Sequence, residues 1–172
     1  MALTLTKETG AGLANANSYA DVADGDAYHE GHLYGTAWTG ATTEQKTAAL
    51  VMATRLIDAE YQFNGQRASD AQSLQWPREE CRDPDASEPL DSTAVPKAVV
   101  QATCETARAL LIEDRTANPL GEGLKFTGLG GLQTSFDKAD RRPVIPYVAQ
   151  ALLAKYGALI LRKSGTVPLK RV

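Results

Sequence analysis

The stretch PKAVVQATCETARALLI, residues 96–112, decides how this chain folds. Pro96 suits the first turn of a helix, because its fixed φ matches the helix and its missing N–H would find no partner there anyway. After it Val99, Val100, Ala102, Thr103, Thr106, Ala107, Leu110 and Leu111 recur at helical spacing to about Asp114. A second stretch answers the first. Thr42 and Thr43 precede Glu44, and Ala48, Leu50, Val51, Ala53, Thr54, Leu56 and Ile57 follow at helical spacing through to about Glu60. The two helices are expected to pack together as the centre of the core, where each buried leucine or valine contributes about 1.5–3 kcal/mol.

Outward from this pair the pattern weakens. Ser18 followed by Asp21 reads as an N-cap with an acid at the third helical position, opening a helix over about 18–32 with Tyr19, Val22, Ala23 and Tyr28 on one face. A final helix is expected over about 146–161, with Val148, Leu152, Leu153, Tyr156 and Ile160 as its apolar side, ending near Lys163, Ser164 and Gly165. Residues 61–95 lose periodicity and collect Gly65, Pro77, Pro84 and Pro89, which marks a long ordered loop. Around Gly128, Gly130 and Gly131 two short runs of β-forming residues predict a hairpin.

The fold class is therefore mainly α: a small bundle of about four helices with a long ordered loop, a small β-hairpin and extended N- and C-terminal arms. Residues 1–17 are assigned to an N-terminal arm, 18–163 to the helical domain with the hairpin inserted at about 124–137, and 164–172 to a C-terminal tail. With 43% apolar but only 6% aromatic residues in 172, composition favours helix-on-helix packing over a sandwich. There is no internal repeat.

Charge is segregated. Residues 1–140 hold all 21 acidic and 11 basic side chains, a net −10, whereas 141–172 hold Arg141, Arg142, Lys155, Arg162, Lys163, Lys170 and Arg171 and no acid. Such a chain suits an acidic partner, a neighbouring copy of itself or nucleic acid, or simply carries a solvated basic tail. Cys81 and Cys104 are the two cysteines, and no apolar stretch approaches the roughly 20 residues that span a bilayer, so a soluble protein made in a reducing cytoplasm is expected, with no membrane partner. Cys104 falls within the apolar helical pattern and Cys81 within a polar loop.

Catalytic signatures are missing. His29 and His32 near Asp24, Asp26 and Glu30 supply too few ligands of the Cys/His type for a structural zinc and read as surface or cap histidines. No G-x-S-x-G stretch is present, and the glycines at 121–131 lack the Lys-Ser or Lys-Thr and the long helix that a phosphate cradle needs. The acidic loop with Glu79, Glu80, Asp83, Asp85, Glu88 and Asp91 lacks EF-hand spacing, and reads either as solvated surface or as the counterpart of the basic C-terminus. No catalytic residue, metal or cofactor is expected, and the chain reads as a non-enzyme.

Several words of the sequence resemble one family. They are Gly12-Leu13-Ala14-Asn15-Ala16-Asn17-Ser18-Tyr19, Asp26-Ala27-Tyr28-His29, Ala48-Ala49-Leu50, Ala53-Thr54, Leu56-Ile57-Asp58, Phe63-Asn64-Gly65-Gln66-Arg67, Gln75-Trp76-Pro77-Arg78 and Val95-Pro96-Lys97-Ala98-Val99. In this order, over roughly 10–112, they are similar to the head-tail adaptor (connector) proteins of tailed bacteriophages, a family also labelled DnaT-like single-stranded-DNA-binding protein. The resemblance to connectors implies a structural virion protein, assembled in the host cytoplasm and placed at the head-tail junction. It would form a dodecameric ring beneath the portal protein, extend the channel through which packaged double-stranded DNA passes unbound, and dock a stopper or tail-completion protein.

Under that reading Trp76, Pro77 and Arg78 fix the long loop, with Trp76 either a buried anchor or a partner-facing ring, and Arg162, Lys163, Lys170 and Arg171 contact the portal. The DnaT-like label implies instead single-strand binding, which wants aromatic platforms interleaved with Lys and Arg. Trp38, Trp76 and most of the tyrosines sit among acidic or apolar neighbours.

Overall fold

Thr42 and Pro96 start the two helices that organise the computed structural model, which describes residues 3–85, 88–117, 126–129, 132–135 and 142–160. At the first, Thr42 Oγ1 accepts from the Gln45 N–H and Gln45 Oε1 accepts from the Thr42 N–H, a reciprocal cap that opens α3 (Thr43–Glu60). The second, α4 (Lys97–Ile112), begins directly after Pro96. Residues 102–107 are all buried, and six consecutive positions cover the whole circumference of a helix, so α4 is the central rod of the molecule.

Three helices surround it. Ile57, Leu50 and Ala53 of α3 pack on Val99, Ala102, Cys104 and Ala107. Ala149 and Leu153 of α5 (Tyr147–Leu153) join the cluster of Val99 and Ala102, whereas α1 (Val22–Glu30) lies along Val100, Gln101 and Cys104. At about 100° per residue those two sets of positions are roughly opposite, so α1 and α5 flank α4 on opposite sides.

A fifth helix among the described residues, the single turn α2 (Thr36–Thr39), escapes the sequence reading because four residues carry no periodicity. It delivers Trp38, fully buried, onto Gly25, where a Cβ would stand 2.2 Å from the indole. Trp38 Nε1 and Lys46 Nζ both donate to Asp26 Oδ1 at 2.8 Å.

The structure corrects several expectations. The first helix is capped by Asp21, not Ser18: Asp21 accepts from the Asp24 N–H and Asp24 from the Asp21 N–H, while the Ser18 hydroxyl is spent on Ala20 O at 2.6 Å. Tyr19 consequently lies outside the helix.

Residues 3–17 do not project as an arm. Glu8 is 1% exposed, and its carboxylate accepts from the N–H groups of Gly10 (2.8 Å), Gly12 (3.0 Å) and Leu13 (2.8 Å). A buried carboxylate needs such donors, and a glycine-rich turn can aim several backbone N–H groups at one point. Gly10, at φ 103°, lies so close to Thr93 that a Cβ would meet its carbonyl oxygen at 1.9 Å. Asn17 locks the other end, its side chain donating to Thr4 O and accepting from Thr6 N–H, both at 2.8 Å.

The last helix stops at Leu153 instead of running on to 161. Its continuation is strand β6 (Gly157–Leu159), antiparallel to β1 (Tyr61–Phe63), with Phe63 opposite Gly157. Glycine is a poor helix residue, and here the backbones approach so closely that a Cβ on Gly157 would lie 2.5 Å from Gln62 O. Val148 and Ile160, expected on the inner side, are exposed, while Leu153 and Tyr156 are buried.

The long loop is ordered by short pairings. After β1 come β2 (Gln66–Arg67) and β3 (Arg78–Glu79), antiparallel to each other. Cys81, placed by sequence in a polar loop, is fully buried beside this pair and, like Cys104, is a free thiol. The hairpin is present as β4 (Phe126–Leu129) paired antiparallel with β5 (Leu132–Ser135). Among the described residues no helix is long and apolar enough to cross a membrane.

Candidate functional site

Besides the Glu8 turn, two groups of buried polar side chains among the described residues bear on function. The first joins the N-terminal segment, α3 and the long loop. The Tyr19 hydroxyl, fully buried, donates to Asp58 Oδ1 at 2.5 Å and accepts from the N–H groups of Gln75 (3.0 Å) and Trp76 (3.2 Å). Asp58 Oδ2 also accepts from the Gln75 N–H at 3.1 Å. Burial pushes the Asp58 carboxyl up to about 6 and raises the Tyr19 phenol well above its ordinary value.

Trp76 follows, fully buried between Phe63 and Tyr156 in edge-to-face contacts at 5.5 and 5.9 Å, and linked to Pro77 by a cis peptide. Pro77 O accepts from the Gln72 side chain and the Ala68 N–H. Arg78, 7% exposed, makes five hydrogen bonds: to Asn64 O, Phe63 O, Gly65 O, Gln75 O and Gln75 Oε1. A guanidinium spent in this way holds the backbone carbonyls at the end of β1 and in the turn that follows it. This junction therefore fixes chain direction.

The second place lies between α1 and α4. His29, 2% exposed, sets Nε2 3.1 Å from Cys104 O; a carbonyl only accepts, so the proton is on Nε2. Burial holds this imidazole below its usual value. The histidine read as a surface or cap residue is thus a core residue. Glu105, also 2% exposed, pairs through Oε1 with Arg108 and has Oε2 3.8 Å from His32 Nε2, an ion pair once His32 is protonated.

Alongside runs a pocket of 590 Å³ lined by Asp24, Tyr28, His32, Lys97, Gln101 and Cys104 among others. Burial pushes the Cys104 thiol up to about 12, far from the thiolate that nucleophilic attack requires. Asp24 is engaged by Lys7 and Asp26 by Lys46 and Trp38, so the acids near the histidines are drawn to different partners. Among the described residues no three His, Cys, Asp or Glu side chains converge as metal ligands.

Over residues 3–171 the chain matches the family described as "Putative DnaT-like ssDNA binding protein". The chain belongs to this family. No curated protein and no solved structure matches it.

Within this DnaT-like chain, the words that stood out in the sequence mostly work inside the fold. Gly12 and Leu13 hold Glu8, Asn17 pins the first residues, and Tyr19 and Asp58 hold the loop. Phe63, Asn64 and Gly65 supply carbonyls to Arg78. Arg162, Lys163, Lys170 and Arg171 lie outside the described residues. In the acidic loop Asp83 accepts from the Tyr156 hydroxyl at 3.0 Å, and Lys155 contacts both Asp83 and Asp85.

Sequence reading missed Glu8, Asp58 and Glu105. Each carried a signal: Glu8 precedes two spaced glycines, and Asp58 and Glu105 fall next to apolar positions on otherwise well-patterned helices.

Proposed function

We propose that this chain is a structural head-tail adaptor of a tailed bacteriophage, assembling as a ring beneath the portal protein and offering a docking surface to a stopper or tail-completion protein. The observation that carries this reading is where the aromatic side chains lie. Trp38, Trp76 and Tyr19 are fully buried, and Tyr61, Phe63 and Tyr156 are nearly so. A protein that grips single strands needs such groups on its surface, interleaved with free cations.

The cations support the same reading. Lys7, Lys46, Arg108, Arg115, Arg142 and Lys155 each pair with a carboxylate. The N-terminal 140 residues carry a net −10, which lets passing DNA slide, since free Lys and Arg are what generate non-specific affinity. The basic residues Arg162, Lys163, Lys170 and Arg171 are then the contacts to the portal.

A second reading, single-strand binding as in the family description, draws on one feature: Tyr147 and Arg142 are both strongly exposed at the start of α5, where a base could stack. Portal rings incubated with the full chain distinguish the two. The adaptor is expected to co-sediment with the rings, and removal of residues 162–172 to abolish attachment while the thermal unfolding transition is retained. Failure of the full chain to associate with portal rings would overturn the adaptor reading.

A further inference from the structure

Of the five buried side-chain polar atoms without a hydrogen-bond partner among the described residues, three belong to one group between α1 and α4: His29 Nδ1, Glu105 Oε2 and Arg108 Nε. Native interiors leave few such atoms, so a group of them calls for a physical cause. The proton positions around it are set by the backbone. His29 Nε2 gives its proton to Cys104 O, which leaves Nδ1 as an acceptor. His32 Nδ1 accepts the Tyr34 N–H at 3.0 Å, so the neutral His32 ring carries its one proton on Nε2. That Nε2 stands 3.8 Å from Glu105 Oε2, beyond hydrogen-bond reach.

A second proton on His32 has only Nδ1 to occupy. Nδ1–H would then face the Tyr34 N–H, donor against donor, and the bond that closes the turn after α1 is lost. The ring becomes a cation beside Glu105, a carboxylate 2% exposed whose Oε1 is held by Arg108 and whose Oε2 accepts nothing. Such a charge pair is worth more in the interior than in water. Both effects drive the ring in one direction, away from the Tyr34 N–H and onto Oε2.

The groups around the ring do not reverse this. On α4, Arg108 and Lys97 oppose the added charge, but Arg108 holds the other carboxylate oxygen and Lys97 stands across the pocket. On α1, Asp24 is bound to Lys7, and burial keeps His29, whose ring lies 5.7 Å away, below its usual value and so neutral. Burial raises the Tyr28 phenol and the Cys104 thiol, which keeps both uncharged. His32, its side chain 25% exposed, is the member of the group that water reaches.

We infer that the turn after α1 is a proton-operated clasp, in which His32 exchanges the Tyr34 N–H for the buried carboxylate of Glu105 and thereby resets the exposed Leu33–Tyr34 corner. The proton comes from solvent, and the released Tyr34 N–H passes to water, since Tyr34 is 73% exposed. The window is that of a histidine, between about pH 5 and pH 8. The clasp stands whether the chain joins proteins or binds strands.

Amide and imidazole magnetic resonance spectra of the full chain, recorded from pH 8 to pH 5, test it. The Tyr34 amide is expected to shift in one transition that coincides with titration of the His32 ring. His32→Asn keeps an acceptor near the position of Nδ1 but takes up no proton, so its Tyr34 amide should stay at the alkaline position throughout. Glu105→Gln keeps an acceptor for Arg108 and removes the charge, and should move the transition to lower pH by about one unit.

A Tyr34 amide that ignores titration of His32, or that shifts equally in His32→Asn, would overturn the inference, as would a Glu105→Gln transition left in place. Because His32 is partly exposed, the His32→Asn comparison decides the matter even where Glu105→Gln does not fold.

Discussion

The described residues form two cores, and they are held in different ways. One, around Trp38, Leu50, Ala53, Cys104 and Ala107, is helix packed on helix, with small residues letting α1, α2 and α3 approach α4. The other, around Tyr19, Trp76, Val99, Ile145 and Tyr156, gathers side chains from the N-terminal segment, α3, the long loop, α4 and the stretch from α5 to β6, parts of the chain that are mostly far apart in sequence. Beyond the short β1–β6 ladder, several of its backbone groups find partners in Tyr19, Asp58 and Arg78. Periodic packing makes the first core tolerant of exchange, whereas the second depends on a few side chains that each satisfy several backbone groups.

The largest test of this contrast is Trp76→Ala. It removes the indole that three segments share and is expected to cost about 3–5 kcal/mol in denaturant unfolding. A loss below about 1 kcal/mol would mean the second core does not depend on its anchor.

Next is the pH dependence set by Asp58. Its folded value of about 6 lies above the ordinary 3.8, so the folded state holds the proton more tightly than the unfolded one. The corresponding stability is fully present below the ordinary value and is lost as pH rises through about 6. Between about pH 4 and pH 7 the native chain should therefore lose on the order of 2–3 kcal/mol relative to Asp58→Asn. Comparison with that variant matters because His29, held below its ordinary value by burial, loses stability in the other direction as pH falls. Parallel pH profiles for the two proteins would contradict the assignment.

The first core has its own weak point at Gly25. A methyl there collides with Trp38, so Gly25→Ala should cost about 1–3 kcal/mol and alter the near-ultraviolet signal of the indole. Pairing it with Trp38→Phe, which shortens the colliding side chain, should recover part of the loss. The smallest expected effect is at the cap: Thr42→Ala should lower the melting point by the equivalent of about 1 kcal/mol and leave both cores intact.

These differences also explain what the sequence could reveal. Helices α3 and α4 and the β4–β5 pair were legible because apolar period, Thr42, Pro96 and the glycine-flanked runs are local signals. The pairing of β1 with β6 was not, since Phe63 and Gly157 are brought together by the whole fold. The N-terminal segment was read as an arm because its burial centres on a charge, Glu8, whose donors are backbone N–H groups that no composition measure registers. Gln75, Trp76, Pro77 and Arg78 stood out as distinctive words, yet nothing near them in sequence names Tyr19 or Asp58 as partners.

The central claim is that a chain with Trp38, Trp76, Tyr19, Tyr61, Phe63 and Tyr156 spent in its cores joins proteins rather than gripping strands. The most direct measurement is a titration of the full chain with fluorescently labelled single-stranded DNA over a range of salt, beside capture by portal rings. The account predicts portal capture with no salt-sensitive strand affinity. Tight strand binding that weakens steeply with salt, without portal capture, would contradict it.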